Sequence, residues 1–139
     1  IVVLLFLAAW GNDTLAYCTG MLIGKHKMSP ILSPKKSIEG LVGGIVGAAI
    51  LGALYGLYLN TYIRFSFNPV TMFPIVCGLG GAVSVIGDLA ASAIKRDSGI
   101  KDYGTLIPGH GGILDRFDSI IFIAPVIYYL TVMISGGAI

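Results

Sequence analysis

From Ile38 to Asn60 the chain carries a single charged residue, Glu39, and that one sits at the edge of the run. A helix of this length and apolarity can cross the ~30 Å hydrocarbon core of a bilayer. Three further apolar segments, about 1–23, 69–94 and 118–136, bring the expected spans in the 139-residue chain to four. Composition excludes the soluble alternative. Hydrophobic residues make up 55% and charged residues 12%, whereas soluble domains carry about 25% charge. The predicted fold is therefore all-α, a polytopic transmembrane bundle with two polar loops. Gly40, Gly43, Gly44 and Gly47 lie three or four apart. They form a small-residue face suited to close helix packing, and through it to association of copies. Pro69 opens the third segment and Pro74 marks a candidate kink.

The basic residues divide unevenly. Lys25, Lys27, Lys35 and Lys36 follow the first span, Lys95, Arg96, Lys101 and Arg116 follow the third, and Arg64 alone lies between the second and third. The positive-inside rule makes the two basic loops cytoplasmic and puts both ends of the sequence on the far side. A polyanionic substrate from the cytosol would meet those loops. Cys18 and Cys77 lie in apolar stretches without metal-ligand spacing and read as buried free thiols. Ile1 enters an apolar run with no initiator methionine and no basic leader. That does not suit a signal peptide, and the sequence reads as a piece of a longer chain.

Two carboxylates stand at an unusual depth. Asp13 precedes Lys25 by about 18 Å of helix, and Asp88 precedes Lys95 by about 10 Å. An ionised aspartate at the bilayer centre costs roughly 2.5–3.5 kcal/mol on insertion scales. Such residues mark ion or substrate paths more often than packing contacts. Ser84, Asp88, Ser92 and Lys95 recur at four, four and three residues, so one polar stripe descends from the basic interface. A stripe of this kind can line a water-filled cavity or bond to other helices. In a cavity, its carboxylate can bind a divalent cation such as magnesium.

The stretch from Ser92 to Asp118 gathers the remaining chemistry. Lys95, Arg96, Lys101 and Arg116 supply positive charge for phosphate oxygens. Gly109, Gly111 and Gly112 allow backbone amides to approach an anion. Asp115 and Asp118, three apart at an expected helix start, can face the same way and hold a cation. Taken singly, each piece also has a structural reading. Asp115 or Asp118 fits an N-cap, Pro108-Gly109 a turn, Lys95 and Arg96 snorkelling anchors, and His110 a donor within the loop. Together they suggest metal-assisted chemistry on phosphate.

The run Ser92-Ala-Ile-Lys95-Arg96, then Lys101-Asp102-Tyr-Gly104, then Pro108-Gly-His110-Gly111-Gly112-Ile-Leu-Asp115-Arg116-Phe-Asp118 resembles the signature of the phosphatidate cytidylyltransferase family. The fixed positions are S-x-x-K-R, K-D-x-G and P-x-H-G-G-x-x-D-R-x-D. Upstream, Asn12-Asp13-Thr14-Leu-Ala-Tyr17-Cys-Thr-Gly20, Gly24-Lys25-His26-Lys27 and Ser33-Pro34-Lys35-Lys36-Ser37-Ile-Glu39-Gly40 are similar to further blocks of that family. The resemblance covers nearly all of residues 1–139 and implies the C-terminal catalytic membrane domain of a longer enzyme. It implies transfer of CMP from CTP to phosphatidic acid, giving CDP-diacylglycerol and pyrophosphate, in a membrane protein with its site toward the cytoplasm. Magnesium is the implied cofactor, with room for a second cation. Asp88 and Asp115 are the first metal candidates, with Asp118 and Asp13 next. Asp88, Lys95, Arg96, His110, Asp115 and Arg116 belong to the catalytic group. Asp13, Ser33, Lys35, Lys36, Ser92, Lys101, Gly111 and Gly112 belong to substrate binding. Implied partners are CTP, phosphatidic acid in the bilayer and a second copy of the chain, with no nucleic acid. Rival readings are CMP transfer to an archaeal ether-lipid phosphate, a CTP-using polyprenol kinase and a transporter.

Overall fold

The computed structural model describes residues 1–29, 31, 33–100 and 114–136. Within these, the chain forms helix α1 (Val2–Phe6), which continues through a π-helical turn at Leu7–Gly11 into α2 (Asn12–Ile23). Strands β1 (Lys27–Ser29) and β2 (Ser33–Ser37) then pair as an antiparallel hairpin, with Lys27 opposite Ser37 and Ser29 opposite Ser33. Three long helices follow: α3 (Ile38–Tyr62), α4 (Pro69–Asp97) and α5 (Leu114–Ile134). Among the described residues, Val2–Ile23, Ile38–Tyr62 and Pro69–Asp97 are long and apolar enough to cross a membrane, and Ser119–Ile134 forms a shorter apolar helix. The protein is an integral membrane protein built as a helical bundle.

Helix boundaries follow from local chemistry. Ser37 caps α3 by accepting from the Gly40 amide at 3.1 Å, which satisfies one of the unpaired first-turn donors. Asn68 does the same for α4, accepting from the Val70 amide at 3.0 Å, with Pro69 at the first helical position. Proline lacks the N–H that this position leaves unused. α4 runs unbroken past Pro74. It stops where Gly99 takes φ +71°. The Gly99 and Ile100 amides there return to the carbonyls of Arg96 and Lys95, a Schellman termination.

α3 is packed inside out relative to a soluble helix. Gly40, Gly44, Ala48, Gly52 and Gly56, each four apart, are buried, while Val42, Val46, Ile50 and Leu54 face outward. In lipid the outward face needs no polar cover, and small residues let backbones approach. The first half of α3 lies on α2, and the second half lies on α4. A Cβ at Gly52 would stand 2.6 Å from the Phe73 carbonyl oxygen, so only glycine permits that contact. The glycine face offered for association between copies is thus taken up within the chain. Leu4, Ala8, Met72, Val76, Ile123 and Ile127 form the core where α1 and the π turn meet α4 and α5. Tyr55 stacks on Phe73 at 5.7 Å beside it.

Two expectations are corrected. The polar segment after the first span, expected as a loop, carries a short β-hairpin. Cys18 is exposed, although Cys77 is buried as anticipated. Apolarity alone cannot tell a lipid-facing position from a bundle-facing one, and Cys18 lies on the outer side of α2.

Candidate active site

The core fills one end of the bundle, and the hairpin end encloses a cavity of about 540 Å³. Asp13, Ala16, Tyr17 and Gly20 of α2 form one wall, and Gly40 and Leu41 of α3 another. Met28 and Lys36 of the hairpin, with Val85 and Asp88 of α4, complete it. Asp13 and Tyr17 are four apart on one face of α2. Gly20 and Gly40 bring α2 and α3 together beside Ser37: a Cβ at Gly40 would stand 2.7 Å from the Ala16 carbonyl oxygen.

The hairpin is fixed to α3 by His26. Its backbone amide donates to Glu39 Oε2 at 3.2 Å, its Nδ1 lies 2.6 Å from Glu39 Oε1, and its carbonyl accepts from the Ile38 amide at 3.0 Å. These three links hold β2 over the bundle. They explain why Lys36 reaches inward, where its ammonium donates to the Asp88 carboxylate and forms an ion pair. The pair joins residues 52 apart in sequence. Both partners are about one-quarter to one-third exposed, at 30% and 26%. This cavity is therefore charged, partly screened and open at the basic end of the bundle.

Of the candidate residues, Asp13, Lys36 and Asp88 converge on this cavity. Ser92, Lys95 and Arg96 lie one to two turns farther along α4 and do not line it. Ser33 and Lys35 belong to β2, and Asp115, Arg116 and Asp118 to the first turns of α5; the side chains of these five lie outside the described residues. Lys101, His110, Gly111 and Gly112 lie outside them altogether. Tyr17, Gly20 and Gly40 were quoted in the motif blocks without a site role. The i+4 step from Asp13 to Tyr17 was the available signal.

The donor set suits a hard cation. Asp88 already accepts one positive charge from Lys36, and Asp13 presents a second carboxylate to the same space. Magnesium takes few protein carboxylates and keeps several waters, so two such groups are compatible with it. Among the described residues no group of three or more His, Cys, Asp or Glu is placed to hold a metal.

The sequence relationship can now be set beside this geometry. The model of the cytidylyltransferase family matches residues 1–134. The chain belongs to that family. Phosphatidate cytidylyltransferases are among its curated relatives. That of Staphylococcus saprophyticus is 39% identical over 129 residues, covering 93% of this chain and 48% of the relative. That of Staphylococcus haemolyticus is 39% identical over 127 residues, covering 91% and 47%. That of Staphylococcus aureus is 40% identical over the same length, again 91% and 47%. The chain spans about half the length of the curated relatives it matches. The matched region contains every helix described above, the hairpin and the cavity.

Proposed function

We propose that the protein transfers CMP from CTP to phosphatidic acid, forming CDP-diacylglycerol and releasing pyrophosphate. The observation that carries this reading is the meeting of Asp13, Lys36 and Asp88 around one cavity at the basic end of a membrane bundle. The relatives' names supply the substrate class. A phosphate oxygen of phosphatidic acid attacks the α-phosphorus of CTP, and the bond from that phosphorus to the bridging oxygen breaks. The nucleophile is already anionic, so the chief difficulty is bringing two anions together in line. Lys36 on the hairpin offsets triphosphate charge inside the cavity. Lys95 and Arg96, in the last turn of α4, draw the nucleotide to its mouth, and Arg116 serves on the other side of the loop. Asp13 and Asp88 would hold magnesium, with Asp115 and Asp118 as further candidates. Bound there, the ion supplies Lewis-acid stabilisation of phosphoryl and pyrophosphate oxygens.

The cavity lies where a cytosolic nucleotide and a bilayer lipid can both arrive. Basic residues cluster at the hairpin end, so we assign that end to the cytoplasm. Self-association then has to use a surface other than the α2-facing glycines. The test is incorporation of labelled CTP into lipid by the purified protein with phosphatidic acid, with and without magnesium. Magnesium-dependent label in a CDP-lipid is expected. Label appearing only with an ether-lipid phosphate acceptor would move the assignment to that substrate, and label as a lipid monophosphate would make the protein a kinase.

A further inference from the structure

Three side-chain atoms are fully buried with no hydrogen-bond partner among the described residues: Asn12 Oδ1, Asn12 Nδ2 and Ser84 Oγ. Their positions are related. Asn12 stands four residues before Ala16, Ser84 four before Asp88, and Gly44 four after Gly40. Ala16, Asp88 and Gly40 all line the cavity. Because α2 and α4 run toward the hairpin and α3 runs away from it, each step leads about 6 Å deeper into the bundle. Asn12, Gly44 and Ser84 therefore belong to a layer directly beneath the cavity.

Two glycines shape that layer around the amide. A Cβ at Gly44 would stand 2.7 Å from Asn12 Oδ1, and one at Gly81 would stand 3.2 Å from it. The Asn12 amide thus faces bare backbone on α3 and α4. A carboxamide offers two donors and an acceptor, and a hydroxyl offers one donor and an acceptor. Lipid supplies partners for neither. The π turn at Leu7–Gly11 ends at Asn12, and such turns recur at functional positions.

We propose that this layer is a hydrated socket, binding roughly one or two internal water molecules between Asn12, Ser84 and the floor of the cavity. Water is the ligand because the layer itself contributes neutral donors and acceptors and no formal charge. The bridged waters hold in register the two carboxylates that flank them, Asp13 beside Asn12 and Asp88 one turn above Ser84. Asn12 and Ser84 are positioning residues for those acids. Their effect on turnover rests on the cavity being the CTP site, whereas the hydration does not.

A structure of the protein in nanodiscs at about 2 Å resolution should show isolated solvent density at ~2.7–3.2 Å from the Asn12 amide and from Ser84 Oγ. A protein atom in that space, or backbone sealing both side chains without density, overturns the socket. Asn12→Leu and Ser84→Ala remove the polarity at similar volume. Each should lower kcat by about 10–100-fold with KM for CTP changed less than about twofold, and leave the unfolding midpoint unchanged or higher. A packing role would instead lower the midpoint while kcat per folded molecule holds, and that result overturns the positioning role. If Asn12→Leu does not insert, Ser84→Ala carries the kinetic test. If the unmodified protein transfers no CMP, the reading of the cavity fails and the density still decides the hydration.

Discussion

The Lys36–Asp88 pair makes a quantitative demand on the hairpin. At an ordinary contact distance of ~3 Å and an effective dielectric constant of ~20, the gross attraction is about 5.5 kcal/mol. Desolvation offsets much of it. Breaking a fully buried pair costs about 3–5 kcal/mol, and an exposed pair is worth about 0.2–1 kcal/mol. With side chains 30% and 26% exposed, this pair falls between those limits, at ~2 kcal/mol. Lys36→Met and Asp88→Asn should each destabilise by that amount. The double variant should lose about the same ~2 kcal/mol rather than the additive ~4 kcal/mol. Unfolding by SDS in mixed micelles, followed by far-UV circular dichroism, measures the cycle. Additivity within about 0.5 kcal/mol would refute the contact, and with it the placement of β2 over the cavity.

Other consequences follow from the same packing. Gly44→Val drives a side chain into Asn12 and Ala16, both within 2.8 Å of the new Cβ. It should cost about 1–3 kcal/mol in the micelle assay, whereas Val42→Ala on the outward face should change stability by less than about 0.5 kcal/mol. His26→Ala removes the imidazole contact to Glu39 from an exposed site, so global stability should barely change. The hairpin should nonetheless loosen, which limited trypsin digestion would register as faster cleavage after Lys25 and Lys27.

The fold was legible wherever a single physical quantity decides the outcome. Apolar length marked the helices, and depth from the basic residues marked Asp13 and Asp88 as neighbours of a polar space. The hairpin was not legible. Ser29-Pro30-Ile31-Leu32-Ser33-Pro34 has no alternation of apolar and polar residues, and its pairing depends on His26 docking on Glu39, a tertiary contact. The partner of the glycine face was hidden for a related reason: small residues state that something packs closely, and α2 and α4 do so in turn. Exposure of Cys18 and burial of Asn12 depend on helix rotation, which lipid-facing and bundle-facing apolar residues leave unmarked. A motif block named Lys36, and depth in the membrane named Asp88. Only the fold joined them.

Asp88 is the point where the hairpin, the cavity and the proposed chemistry meet, so Asp88→Asn tests the account most directly. The measurement is magnesium-dependent incorporation of labelled CTP into phosphatidic acid by the variant, normalised to correctly inserted, folded protein. Losing one preorganised charge at the reacting phosphates should lower the rate at least ~100-fold. Turnover within about threefold of the unsubstituted protein, far from the ~100-fold loss expected, would remove Asp88 from the mechanism and the cavity from the active site.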